Sequence, residues 1–248
     1  HNRPSVFNLL KNEKNSKYVL YFHNDPLSMN GSKSKDERLH LLDNLDKIIF
    51  VSKWVQKRFF NGLDQKLLNK TEVVYPSINK ISKFPSKKKW ISFVGKLNSS
   101  KGYDIYKGAI LKILDEFKDW TALSIGDESR DRPHIKHLRH KEIGFKTHKE
   151  VLKILSQTQI AVVPSRWEEP FGRTALESGS RGCATIISNR GGLPETVHHS
   201  IKLEKLDINN LYKKIKYLIK NKDIRHNIQK NSFKNVLHTV EENSKLID

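Results

Sequence analysis

The stretch IAVVPSRWEEPFGRTALESGSRGCATIIS, residues 160 to 188, alternates between two kinds of local signal. IAVVP is apolar and too short for a buried helix, so it reads as a buried strand, and ATIIS reads as another. Between them a helix opens after Phe171. Strand, helix and strand at this spacing form a βαβ unit, whose parallel strands are apolar because helices cover both faces. Ligands of such open sheets bind beyond the carboxyl ends of the strands, which places Ser165 to Thr174 at a candidate site. Phe171, Gly172, Arg173 and Thr174 would form a first helical turn whose free N–H groups attract an anion such as phosphate. Glycine at 172 lets a ligand approach the backbone closely.

Two acids, Glu169 and Glu177, bracket that turn in a chain of formal charge +19. A carboxylate does not bind phosphate, but its two acceptor oxygens suit a pair of hydroxyls. A ligand with a central diphosphate, a sugar at one end and a ribose at the other would meet the whole arrangement. Glu169 would take the sugar and Glu177 the ribose. The ligand so described is a nucleotide sugar. The competing reading makes both glutamates surface acids that compensate nearby arginines.

The same alternation extends outward. KYVLYF (17–22) and KIIFVS (47–52) read as strands, with helices over SKDERLHLLDNL and SKWVQKRFFNG, the latter capped by Ser52 and stopping near Gly62. TEVVYPSI closes this first set. NKISKFPSKKK (79–89) reads as a solvated linker. WISFVGKL, a helix over Tyr103 to Phe117, TALSIG, KEIGF, a helix at HKEVLKILSQ, and the opening stretch make a second, doubly wound set. From Asn209 the chain is helical and charged. The expected organisation is α/β throughout. Residues 1–78 form a partial N-terminal Rossmann-like domain, 79–89 a linker and 90–208 a nucleotide-sugar-binding Rossmann-like domain. Terminal helices over 209–248 pack back toward the first domain.

Only two clear strands stand in the first set, fewer than a doubly wound domain normally has, so its N-terminal part reads as missing. Apolar area on these strands and on the helix from Lys53 is then expected to lie exposed.

With 248 residues, 36% hydrophobic and one cysteine, the chain suits two domains without a disulfide framework, in a reducing cytoplasm. No apolar run approaches the roughly 18 residues of a membrane span. No zinc-type spacing of Cys, His and acids occurs, and no metal is expected. The basic balance is compatible with peripheral contact at the cytoplasmic face of an anionic membrane, and equally with lysine-rich composition alone. Arginine forks and RNA-type aromatic motifs are not concentrated anywhere, so no nucleic-acid partner is expected.

EEPFGRTALESGSRGCATIISNRGGLPETV (168–197) closely resembles the E-x7-E region of family 4 glycosyltransferases, retaining enzymes of the GT-B fold. FVGKLNSSKGYD (93–104) is similar to that family's strand-Gly-Arg/Lys-loop-Lys-Gly segment. IGFKTHKEV (143–151) resembles its base-contacting loop, and YFHNDP (21–26) the segment that holds its cleft histidine. The resemblance implies that Lys96 and Lys101 neutralise the donor diphosphate, so that no metal cofactor is required. Lys96 stands where the family usually has arginine, exchanging a two-pronged fork for a point charge. It further implies that His23 contacts the donor sugar beside Glu169. Gly95, Phe145, Lys146, Phe171, Gly172, Arg173, Thr174 and Glu177 fall on the donor-binding side, and His1 and Asn24 on the acceptor side. Trp167 is either a wall on which sugar stacks or a core aromatic. Gly191 and Gly192 read as a tight turn near the donor.

The implied activity is metal-independent, hexosyl-type retaining transfer to a hydroxyl of a glycan, lipopolysaccharide or lipid-linked acceptor. The leaving diphosphate accepts the proton of the incoming hydroxyl, which fits the lack of an evident nucleophile opposite Glu169. A phosphorylase or disaccharide synthase on the same scaffold is the enzymatic alternative, and a nucleotide-binding remnant without transfer the other.

Overall fold

The computed structural model describes residues 2–10, 16–128, 134–236 and 238. Contacts divide the chain after Ser77 into two compact units.

The first unit holds α1 (Pro4–Leu10), β1 (Val19–Phe22), α2 (Lys35–Asn44), β2 (Lys47–Phe50), α3 (Lys53–Phe59) and β3 (Thr71–Val73). Its strands run parallel in the order β1-β2-β3, with Leu20 opposite Ile48 and Phe22 opposite Phe50. The third strand corrects the reading of two. Only three residues of TEVVYPSI pair, too few for a periodic signal. Ser34 and Glu37 close a reciprocal capping box at α2, and the Ser52 hydroxyl accepts from the Val55 N–H at α3.

The apolar face expected to lie exposed on the helix from Lys53 is instead buried. Val55 and Phe59, four residues apart and so on one face, are both 0% exposed. The Phe59 ring lies 5.4 Å from that of Phe22 and 5.2 Å from that of Phe50. The opposite side of β1 is more open, with Val19 45% exposed.

The second unit is a parallel sheet of six strands: β4 (Lys88–Val94), β5 (Thr121–Ile125), β6 (His140–Gly144), β7 (Thr158–Val163), β8 (Ala184–Ser188) and β9 (Ser200–Leu203). Their order is β6-β5-β4-β7-β8-β9, so the direction of winding reverses between β4 and β7. That reversal opens a crevice at the carboxyl ends, the usual ligand position of this topology. The helices are α4 (Tyr103–Glu116), α5 (His148–Gln157), α6 (Arg173–Ser180), α7 (Ile208–Lys220) and α8 (Lys222–Lys234).

Spacing explains their docking. Tyr103, Tyr106, Ile110, Ile113 and Leu114 recur at helical intervals and are fully buried, as are Leu211, Ile215 and Leu218 of α7. Each large apolar side chain so buried contributes about 1.5–3 kcal/mol. Gly108 lets α4 and α7 meet, because a Cβ there would come within 2.5 Å of Ile208 Cδ1. α5 sits over Leu123, Ile125, Ala161 and Cys183 through Val151 and Leu155.

Three local readings change in this unit. The basic run taken as solvated linker enters the sheet, since β4 begins at Lys88. Lys87 is drawn in because its ammonium donates to the carbonyls of Leu155 and Arg181. SIKL forms a sixth strand, β9, too short to announce itself. The charged helices α7 and α8 belong to this unit, α7 against α4 and α8 against β8 and α6.

A buried polar chain crosses the sheet. The Tyr103 hydroxyl donates to Ser124 Oγ at 3.1 Å, Ser124 Oγ bonds His140 Nε2 at 2.8 Å, and His140 Nδ1 meets the Ile135 carbonyl at 3.2 Å. Burial holds the His140 imidazole below its ordinary value. The unfolded chain therefore binds the proton first, and stability falls as pH drops through the unfolded value of about 6.5 toward the folded one. Urea midpoints measured from pH 7 to pH 5 are expected to decline, and His140→Gln to flatten that slope. An equally steep slope in the variant would remove His140 as its source.

Candidate functional site

Strand β7 ends at Val163, and the next nine residues cross its carboxyl end before α6 begins. Phe171 and Gly172 precede that helix and do not belong to its first turn. Gly172 has φ 98° and caps α6 with no side-chain hydrogen bond. A Cβ at Gly172 would come within 2.4 Å of Leu193 Cδ1. Phe171 is 4% exposed and packs edge-on to His238 at 5.8 Å, so it anchors the turn rather than facing a ligand. No side chain caps the N–H groups of Arg173 and Thr174, which leaves an electropositive helix start at the crevice.

The loop after β4 is laced to this segment. Arg166 and Trp167 donate their backbone N–H groups to the Ser100 carbonyl at 3.0 and 3.1 Å. Arg166 also grips both carboxylate oxygens of Asp104, at 2.5 and 2.7 Å. Asn98 shapes the β4 loop by accepting from the Lys101 N–H at 3.2 Å and donating to Glu128 at 2.8 Å.

Lys101 is thereby brought to Glu169. Its ammonium lies 2.6 Å from Glu169 Oε1 and 4.5 Å above the centre of the Trp167 ring. The Glu169 side chain is 11% exposed, and its Oε2 has no partner among the described residues. Trp167, 48% exposed, is the wall of this pair rather than a core aromatic.

Glycines make the close packing possible. Gly102 has φ 73°, and a Cβ there would stand 1.9 Å from the Pro164 carbonyl oxygen. Gly144 has the same φ of 73° but nothing within 4 Å. Gly144→Ala should therefore cost only the left-handed backbone, about 1–2 kcal/mol. Gly102→Ala should cost clearly more in chemical denaturation, because the clash adds to the same backbone term. Equal losses would mean that the β4 loop is not tied to β7. Gly191 supports Glu169 from below: the Gly191 N–H donates to Glu168, and the Gly192 N–H to the Glu169 carbonyl at 2.7 Å.

Glu177 stands one turn into α6, and its side chain is 9% exposed. His148 Nε2 at the start of α5 lies 3.1 Å from its Oε1, and Arg173 Nε lies 3.6 Å from the same oxygen. Oε2 has no partner among the described residues. His148 was not singled out from sequence. The signal was available, since Thr147 and Glu150 spell a capping box that starts a helix at His148.

The remaining candidates are dispersed. Lys96 lies exposed just beyond β4 and has no ion-pair partner among the described residues. Gly95 has φ 147°, and its carbonyl is so close to Gly126 that only glycine fits there. Phe145, 78% exposed, projects from the loop after β6, and Lys146 pairs with Glu150 at 3.9 Å. All of these lie at the carboxyl edge of the second sheet. Lys101 and Glu177 do not touch each other; each pairs with a different element.

His23 and Asn24 follow β1 in the first unit and are exposed. The His23 N–H donates to Asn2 at 2.9 Å, its ring leans on Tyr21 at 4.2 Å, and burial lowers its pKa. His1 lies outside the described residues. Among the described residues, no three His, Cys, Asp or Glu side chains gather as a metal site, and no helix is long and apolar enough to cross a membrane.

Comparisons with known proteins agree with this architecture. An uncharacterised glycosyltransferase of Methanocaldococcus jannaschii is 33% identical over 230 residues, 90% of this chain and 64% of its own length. A putative glycosyltransferase of Bacillus subtilis is 24% identical, over 81% of this chain and 57% of its own. The chain thus spans about three fifths of these relatives. Among solved structures, Anabaena HepE in complex with UDP superposes with a TM-score of 0.79 at 17% identity, over 98% of this chain and 73% of that one. Sucrose-phosphate synthase from Thermosynechococcus elongatus gives 0.75 at 18%, over 98% and 69%. The fold is α/β of the GT-B class. Residues 74–235 match the family described as glycosyl transferases group 1, and the chain belongs to that family.

Proposed function

We propose that the protein is a retaining, metal-independent glycosyltransferase whose donor is a nucleoside diphosphate sugar bound at the carboxyl edge of the second sheet. One observation carries the reading. Two nearly buried carboxylates flank an uncapped helix start, and each has one oxygen engaged by a cation or imidazole and the other without a partner among the described residues. The diphosphate would lie at the Gly172 turn with Lys101 and Lys96 beside it. The ribose diol would meet Glu177 Oε2, the base would lie toward Phe145, and the sugar toward Glu169 and Trp167. The crystallised complexes of Anabaena HepE with UDP and with UDP-glucose support a nucleotide-sugar donor for this fold.

In transfer, the bond between the anomeric carbon and the diphosphate oxygen breaks while an acceptor hydroxyl bonds to the same face. The hydroxyl proton passes to the departing phosphate. Negative charge that grows on that phosphate is stabilised by Lys101, Lys96 and the α6 N–H groups, fixed in place before the reaction. The acceptor is a sugar or lipid-linked hydroxyl. A role for His23 at the donor sugar rests on the family resemblance, and His23→Ala tests it by slowing transfer without weakening nucleotide binding.

A panel of UDP-, GDP- and ADP-sugars, read by thermal stabilisation, tests the donor. A ligand at about 100 times its Kd should add roughly 2.7 kcal/mol. No response to any of the three would sink the donor site. The anomeric configuration of the transferred sugar, read by NMR, tests retention, and inversion would sink it. Sugar release that depends on free phosphate would instead identify a phosphorylase.

A further inference from the structure

At the amino edge of the second sheet, remote from the donor loops, Phe84, Ser86, Lys87, Gln159 and the first two turns of α8 enclose a cavity of about 420 Å³. β4 separates the two edges with seven residues, about 20 Å of strand. Lys87, Lys222, Arg225 and His226 all line the cavity, and among the described residues no Asp or Glu does. A further cation, Lys230, lies over the Phe84 ring at 5.5 Å. The one acid of α8, Asp223, is not in the wall.

This is an unusual concentration of unbalanced charge. Arg225 is 7% exposed, and a buried cation ordinarily has an anionic partner. Here Nη1 donates to the carbonyls of Leu218 and Ile219, and the guanidinium lies 5.4 Å from the Trp120 ring centre. Nε and Nη2, the parallel fork that suits a phosphate or carboxylate, have no partner among the described residues. Lys87 is half-buried and satisfied only by carbonyls, with its pKa lowered by burial. Gln229, 3% exposed, holds its amide N–H on the Gln159 carbonyl at 2.9 Å and adds a neutral polar wall. The start of α8 has no side-chain cap, which adds the positive end of a helix to the same cavity.

We propose that this cavity is a second anion site, distinct from the donor site, that binds the phosphate group of a small molecule. Two negative charges on one tetrahedral group match the Arg225 fork and the surrounding cations better than a single carboxylate does. Ser86 and the two glutamines offer hydrogen bonds to hydroxyls of an esterified sugar.

The test is a titration of the full chain with inorganic phosphate against chloride at equal ionic strength, followed by calorimetry and thermal melting. Specific stabilisation by phosphate is expected. Lys222→Glu combined with His226→Ala, both exposed positions, should raise the phosphate Kd at least about tenfold, a loss of ~1.4 kcal/mol. Arg225→Gln should do the same if the variant folds. Lys101→Met, at the donor site, should leave phosphate binding unchanged. Parallel titration with glucose 6-phosphate separates the sources: tighter binding marks an esterified phosphate as the ligand, equal binding the free ion. Phosphate that acts no differently from chloride overturns the proposal. So does a phosphate response lost in Lys101→Met and retained in the Lys222→Glu/His226→Ala variant.

Discussion

Lys101→Met is expected to lower the rate of glycosyl transfer about 10²–10³-fold, the effect of removing one preorganised charge stabiliser from a leaving group, about 2.7–4 kcal/mol. The ion pair complicates the substitution, and the complication can be measured. Lys101 and Glu169 are 25% and 11% exposed, so methionine leaves a largely buried carboxylate without its cation. That loss alone should destabilise the fold by about 1–3 kcal/mol. Adding Glu169→Gln removes the stranded charge, so the double variant should regain much of the stability. It should not regain transfer. Denaturation midpoints and initial rates of wild type, both single variants and the double variant separate the two effects. Recovery of transfer along with stability would reduce Lys101 to a structural partner of Glu169.

Glu177→Ala is expected to weaken binding of the bare nucleotide by roughly 10- to 150-fold, from the loss of a charge-assisted hydrogen bond of about 1.5–3 kcal/mol. The scaffold should tolerate the change. Its partners His148 and Arg173 have side chains 54% and 63% exposed and can turn to solvent. Glu169→Ala should leave bare-nucleotide affinity nearly intact and lower transfer, because its oxygens face the sugar in the proposed arrangement. Calorimetric titration of UDP, GDP and ADP into both variants checks the division. Equal losses of nucleotide affinity would contradict it.

Much of the site was legible because its signals are local. An apolar run followed by Pro, Gly and a helix-forming segment places Glu169 and Glu177 beyond the carboxyl end of one strand, whatever the rest of the chain does. The eight-residue step between the two acids, broken by Gly172, separates a loop carboxylate from a helical one. β3 and β9, at three and four residues, were too short for periodicity to reveal, and pairing with longer neighbours creates them. Lys87 was misread for a related reason. A lysine in a basic run looks solvated until the carbonyls of Leu155 and Arg181, 68 and 94 residues away, arrive at its ammonium.

By itself the sequence determined the parallel α/β class, the strand-turn-helix at residues 160–180, the glycine at the helix start and the two carboxylates around it. Those follow from side-chain volume, backbone freedom and helical or strand periodicity, all of which act over a few residues. Only the tertiary structure decided that Lys101 pairs with Glu169 across 68 residues, that His148 pairs with Glu177 across 29, and that Arg225 and Lys87 share one cavity with no acid among the described residues. The reason is geometric. Strand order places β4 beside β7 and fixes which loops meet at each edge, and a charge finds its partner only after that order is set.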